Sequence, residues 1–179
     1  PKDKKIVSDM KNYLLQSKRP LLLVGGGASS SLETNQHVKS FIENTQLPVV
    51  ATYSGTDVID HAYSNYLGTI GVKGNRAANF ALQNCDCLLV LGSRLPYGAI
   101  GYDVANFAGT SKILVIDIDK NELKKNEQQF SGRIVQVNLR IDDFLKNLEL
   151  KKIKIDPNWS DKCQETASSW NIIDENKSI

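Results

Sequence analysis

Apolar and polar positions along the chain alternate between two periods. Ile6, Val7, Met10 and Leu14 recur at helical spacing until Pro20 interrupts them, just before the apolar run "LLLV". After the glycines at 25–27, Ser30 and Glu33 stand three apart as a capping-box pair. They open a predicted helix with Val38, Phe41 and Ile42 on one face. Pro48 precedes a second strand, "VVAT", and a loop rich in Gly, Ser, Asp and Tyr runs from Tyr53 to about Lys73, with a short strand near Tyr66. The helical period returns at Ala77, Ala78, Ala81, Leu82 and Cys85, and "CLLVLG", "KILVIDI" and "RIVQV" read as three further strands. Asp119 and Glu122 form a second capping pair ahead of a lysine-rich helix. Ile141, Phe144, Leu145 and Leu148 then give the clearest amphipathic helix. Unbroken apolar strands suit a sheet buried on both faces. The alternation therefore predicts an α/β fold, a doubly wound and mainly parallel sheet with helices on both faces. It stops after Leu150, so residues 1–150 are expected to form one domain and 151–179 a C-terminal helical connector toward a further domain. That connector would carry Trp159, Cys163 and Trp170 on a helix over about 158–170.

Composition narrows the function. The 179 residues are 41% hydrophobic and 23% charged, with a net charge of +2 and both signs interspersed. That leaves no footprint for nucleic acid or for an anionic membrane. The apolar runs are too short to span a bilayer, and no basic n-region leads one, so no secretory signal is read. Cys85, Cys87 and Cys163 make neither a disulfide framework nor paired C-x2-C zinc ligands. They are expected to be small core residues in a reducing, cytoplasmic setting. The start at Pro1 and the polar ending "DENKSI" read as a processed chain or as a piece cut from a longer one, and the second reading is preferred.

The chemistry on offer is nucleotide binding. Gly25 and Gly27 fit the start of G-x-G-x-x-G, with Ser30 at its sixth position. Glycines let backbone N–H groups approach a phosphate, and the helix start adds partial positive charge. An NAD-type domain would need an acid at the end of the next strand, and "VVATYS" has none, so an ordinary dehydrogenase is disfavoured. Asp117 and Asp119 flank a later strand end. Asp117 can accept from ribose hydroxyls, whereas Asp119 is better placed to cap a helix. Arg94, after "LVLGS", reads equally as a phosphate clamp or a solvated surface residue. Lys73 with its three neighbouring glycines reads as a second cradle or a flexible loop. His37 and His61 have no partner by spacing and read as surface histidines. With no nucleophile elbow, Walker lysine or metal-ligand cluster, no catalytic residue is assigned.

The order and spacing of "KRPLLLVGGGASSS", "LPVVATYSGTDVIDHAYSNYLGTIGVKGNRAANFAL", "CDCLLVLGSRL" and "KILVIDIDKNELKKN" resemble the middle domain of thiamine-diphosphate-dependent enzymes, over about residues 3–150. The acetolactate synthase branch and its homologues are the nearest match. The resemblance implies a Rossmann-like, DHS-like NAD/FAD-binding sheet inside a 2-oxo acid decarboxylase or carboligase. Thiamine diphosphate and Mg2+ would be held by other domains of the parent chain, in a dimer or tetramer, and this domain would be silent alone. Its own pocket would take FAD or ADP, or stand without flavin as in pyruvate decarboxylase-like members. Carried over by position, Gly26 and Gly27 approach the nucleotide. Gly74 and Asn79 of "GVKGNRAAN" line the cofactor, Arg94 meets it, and Asp117 with Ile118 holds the adenosine. The chain departs from the flavin-binding pattern at "VKG", at "LPYGAIGYD" after Arg94, and at Val137–Asn138 in place of a Gly-Asp pair. Rival readings are a self-standing nucleotide-binding or regulatory module, and a sirtuin-like enzyme that would lack its zinc cysteines.

Overall fold

A computed structural model of the chain describes residues 2–148 and 155–170, so the expected boundary at 150/151 lies outside the described residues. Helix α1 (Lys2–Gln16) leads into β1 (Pro20–Val24), a short 3-10 turn over Gly26–Ser29 and α2 (Leu32–Thr45). Strands β2 (Val49–Ala51) and β3 (Tyr66–Thr69) precede α3 (Arg76–Asn84) and β4 (Cys87–Leu91). Next come α4 (Tyr97–Ile100), β5 (Lys112–Asp117), α5 (Lys120–Gln129), β6 (Ile134–Asn138), α6 (Ile141–Leu148) and α7 (Pro157–Trp170). The six strands form one sheet in the order β3-β2-β1-β4-β5-β6, and every pairing is parallel. This is the doubly wound arrangement that the alternating periods predict.

The apolar runs work because strand side chains alternate between faces. Leu22, Val24, Leu89 and Leu91 turn to one side, where Val7, Met10, Leu14, Val38, Ile42, Phe144 and Leu148 of α1, α2 and α6 cover them. Leu21, Leu23, Leu88 and Val90 turn to the other, under Ala78, Ala81 and Leu82 of α3, with Leu123, Phe130, Trp159 and Cys163 in the same cluster. Helix α7 lies along α3 and also meets β3. The Asp156 carboxylate accepts from the Asn158 amide at its start, and the Trp159 indole N–H donates to the Pro20 carbonyl at 3.1 Å. Thus α7 closes the second face, including the start of β1. All three cysteines are buried and free, and burial pushes their thiols up to about 11, 12 and 12 for Cys85, Cys87 and Cys163. At neutral pH they are protonated packing groups. Among the described residues, no helix is long and apolar enough to cross a membrane.

Where β1 ends, backbone packs directly on backbone. The Gly25 amide donates to Leu91 O and the Gly27 amide to Gly92 O, each at 2.9 Å. A Cβ on Gly25 would sit 2.4 Å from Gly92 O and 2.6 Å from the Ser93 Cβ, with no flexible chain end to yield. Gly98, by contrast, has nothing within 4 Å of its ideal Cβ. Gly25→Ala is therefore expected to cost at least about 1–3 kcal/mol, while Gly98→Ala stays within about 0.5 kcal/mol of the parent. Urea denaturation of the two variants checks this; equal midpoints would contradict the close approach at Gly25.

Candidate functional site

An all-parallel sheet puts every strand's carboxyl end, and the start of each helix that follows a strand, on one edge. At the point where the chain departs from β1 toward β2 on one side and β4 on the other, a crevice must open there. The structure has a pocket of about 310 Å³ at this place, lined by Gly27 and Ser30 after β1, Gly92 and Arg94 after β4, Asp117 to Asp119 at the end of β5, and Leu139 to Asp142 after β6. Three helix starts therefore border it, those of α2, α5 and α6. Each contributes unpaired N–H groups and partial positive charge.

Of the residues singled out from sequence, Gly27, Arg94, Asp117 and Ile118 come together in this pocket. Arg94 is exposed, and its guanidinium makes no hydrogen bond or ion pair among the described residues; only its carbonyl is used, by Lys125 Nζ at 2.7 Å. Asp117 is half-buried, and burial pushes its carboxyl above the ordinary range even though Oδ1 accepts the Asp119 amide at 2.9 Å. Asn138 ties the turn by donating its side-chain amide to the Asp117 and Ile118 carbonyls at 3.0 and 2.9 Å. The Ile118 side chain is left 68% exposed beside a strand end that is otherwise apolar.

The remaining residues lie elsewhere. Gly26 faces Ser54, whose carbonyl would be 3.0 Å from an added Cβ. Gly74 and Asn79 belong to a loop closed on itself. The Asn79 side chain accepts the Gly71 amide and donates to the Gly71 carbonyl, both at 3.0 Å, and the Gly74 amide donates to Gly71 O at 2.9 Å. Asn75 Oδ1 accepts the Thr69 amide at 2.8 Å. These groups spend their polar capacity on holding the loop before α3.

Two local expectations are corrected. The cap of α2 is Ser31 rather than Ser30: the Ser31 hydroxyl accepts the Thr34 amide at 3.1 Å, which leaves Ser30 exposed on the pocket wall. Glu33 pairs with Lys146 instead of reaching back to a cap. His37 is not a lone surface residue, since its Nδ1 lies 3.0 Å from Asp142 Oδ1. Asp142, which sequence reading passed over, is 4% exposed. It also accepts from Thr34 Oγ1 at 2.9 Å and Arg140 Nη2 at 3.2 Å. Burial alone would push its carboxyl up, but the hydrogen bonds from His37, Thr34 and Arg140 outweigh this and hold it below the usual aspartate value. His61 meets the Thr56 carbonyl at 3.3 Å and the Tyr66 ring edge-on, away from the pocket.

A family model described as thiamine pyrophosphate enzyme, central domain, matches residues 7–148. The chain is 32% identical over 122 residues to the acetolactate synthase isozyme 2 large subunit of Escherichia coli (strain K12), covering 68% of this chain and 22% of that relative. It is 33% identical over 142 residues to the isozyme 1 large subunit of the same organism, covering 79% of this chain and 24% of that relative. With the acetolactate synthase large subunit of Cyanidium caldarium the identity is 28% over 164 residues, 92% of this chain and 28% of that relative. The chain thus spans about a quarter of the length of the curated relatives it matches.

The Asp142 cluster makes a pH prediction. A carboxylate whose folded-state pKa is lowered adds stability above its unfolded value of about 3.9, and that stability is lost as pH falls through the lower folded value. Asp142→Asn should therefore be less stable than the parent at pH 7, by about 1–3 kcal/mol. The difference should narrow below about pH 4. Urea denaturation at pH 7 and at lower pH reads both; a difference that is constant with pH would contradict a charged Asp142.

Proposed function

The chain belongs to the thiamine pyrophosphate enzymes, as a central domain, and from that premise we propose that it is the nucleotide-binding and structural domain of an acetolactate synthase-like 2-oxo acid decarboxylase or carboligase. The observation that carries the nucleotide reading is the convergence of Gly27, Arg94, Asp117 and Ile118 on one pocket at the switch point of the sheet. Each has a chemical task that needs no rearrangement of the fold. The Gly27 amide is already bonded to Gly92 O, so Gly27 offers only a close approach without a side chain; the start of α2 faces a diphosphate, and the unpaired Arg94 guanidinium adds charge-assisted donors. Asp117 accepts from ribose hydroxyls through the oxygen left over from the Asp119 amide. Ile118, with Leu139 and Ile141, offers apolar surface to a base.

The pocket's size supports an ADP moiety, either free or as one half of FAD. At about 310 Å³ it stands at the small end of ligand sites, which run from roughly 300 to 1,000 Å³. A flavin ring would have to extend past Arg94 toward the "LPYGAIGYD" segment, along which Tyr97 and Tyr102 stack at 6.0 Å between ring centroids.

The reaction chemistry belongs to the rest of the parent protein. Thiamine diphosphate supplies the electron sink for decarboxylating a 2-oxo acid. Among the described residues no group of three or more His, Cys, Asp or Glu could hold its Mg2+. In this reading the steps of the reaction fall to the other domains, and this chain alone would be catalytically silent. Its partners in this reading are the other domains of the parent and a second subunit, in a dimer or tetramer. The three free, buried thiols suit a reducing compartment such as the cytoplasm.

Thermal melting tests the nucleotide reading. Ligand at a hundredfold excess over Kd stabilises by about 2.7 kcal/mol. For a domain of this size that raises the melting temperature by roughly 5–10 °C. ADP and FAD should both give such a rise, and Arg94→Ala and Asp117→Ala should abolish it; a flat response of the chain to both ligands would contradict the reading.

A further inference from the structure

Three carboxylates, Asp117, Asp119 and Asp142, line the pocket together with the guanidinium groups of Arg94 and Arg140. An anionic ligand is repelled by the first set, so its binding depends on where the second set is held. The Arg94 guanidinium makes no hydrogen bond or ion pair among the described residues. Arg140 is held, although its side chain is 60% exposed. Its Nη2 donates to Asp142 Oδ2 at 3.2 Å, and the same oxygen accepts from Thr34 Oγ1 at 2.9 Å. Thr34 lies in the first turn of α2, and its hydroxyl also meets the Ser31 cap at 2.9 Å. One buried oxygen therefore fixes the guanidinium beside the start of α2, close to the glycine turn. His37 occupies the other oxygen of Asp142 at 3.0 Å and keeps the carboxylate from rotating away.

We propose that Asp142 is a positioning residue that sets Arg140 over the diphosphate of the bound nucleotide, making Arg140 the group that distinguishes a nucleoside diphosphate from a nucleoside. This rests on the nucleotide reading of the pocket. A guanidinium has five N–H donors in a fixed fork, and the bond to Asp142 uses one of them, so the remainder are available to phosphate oxygens. A full charge there reinforces the partial charge of the α2 start. The arrangement explains why a carboxylate is buried next to a site for an anion: bonded on both oxygens, it orders the arginine and withholds its own charge from the ligand. An exposed arginine with no partner would have to lose its side-chain freedom at the moment of binding.

Calorimetric titration of the 179-residue chain with ADP, AMP and adenosine tests this. The parent should bind ADP most tightly and adenosine most weakly. Arg140→Gln should weaken ADP binding about tenfold or more while leaving adenosine within about twofold. Asp142→Asn should show the same phosphate-selective loss, and the double variant should be no worse than Arg140→Gln alone, because the two act as one unit. If Asp142→Asn does not fold, Thr34→Val and His37→Gln each remove one bond from the same carboxylate and should reproduce the selective loss in part. Arg140→Gln binding ADP as the parent does, or losing ADP and adenosine equally, would overturn the proposal and leave the nucleotide site standing. No binding of any of the three by the parent would overturn the site and the proposal together.

Discussion

Parallel pairing of β1 with both β2 and β4 is the constraint on which the rest of the molecule depends. A strand in that position is buried on both faces and both edges, so it must be apolar along its whole length, as Pro20–Val24 is. Parallel neighbours require long crossovers, and these place helices on both sides of the sheet. The same geometry sends the chain away from β1 in opposite directions and leaves a gap at the carboxyl edge that no side chain of the core fills. At its mouth Gly25 and Gly27 bond to Leu91 and Gly92, so the walls of the gap are joined by backbone hydrogen bonds. The pocket is thus a consequence of the topology, and only its lining is free to vary.

That lining has two electrostatic characters. Asp117 is raised by burial, which outweighs the hydrogen bond that it accepts from the Asp119 amide. Asp142 is lowered because three donors already satisfy it. The first has an oxygen left open, which the proposed reading gives to ligand hydroxyls, and the second holds its neighbours. Two aspartates in one pocket therefore act differently because of what surrounds them. Arg94 and Arg140 divide in a parallel way, one without a side-chain partner and the other anchored by a buried oxygen. Membership of the thiamine pyrophosphate enzymes gives this pocket its context, while contacts within the fold set the environment of Asp117, Asp142 and Arg140.

Much of the fold was legible because it rests on local signals. Unbroken runs such as "LLLV", "CLLVLG" and "KILVID" marked buried parallel strands, and the 3.6-residue period marked α1, α2, α3 and α6. Arg94 and Asp117 were legible as strand-end residues, since the carboxyl edge is where such sheets bind ligands, whereas Ile118 came only from the family resemblance; all three line one pocket. The cap of α2 was misplaced by one residue because two adjacent serines, Ser30 and Ser31, compete for the same signal, and only backbone geometry selects between them. Helix α4, four residues long, is too short to show a period. The Asp142 cluster could not be read at all. His37 and Asp142 are 105 positions apart, and they meet only because α2 and α6 cover the same face of the sheet. A short acid-rich stretch, "RIDD", looks from sequence like an ordinary helix start. The roles carried over for Gly74 and Asn79 depend on a loop whose polar groups the fold uses internally.

The central claim is that the carboxyl edge between β1 and β5 is a nucleotide site, and the most direct measurement is a two-dimensional NMR titration of the 15N-labelled chain with ADP. Saturable shifts are expected for the amides of Gly27 to Ser31, Arg94, Ile118 to Asn121 and Leu139 to Asp142. Gly71, Gly74 and Asn79 should remain in place. Shifts centred on the loop before α3, or none at a large excess of ADP, would contradict the account.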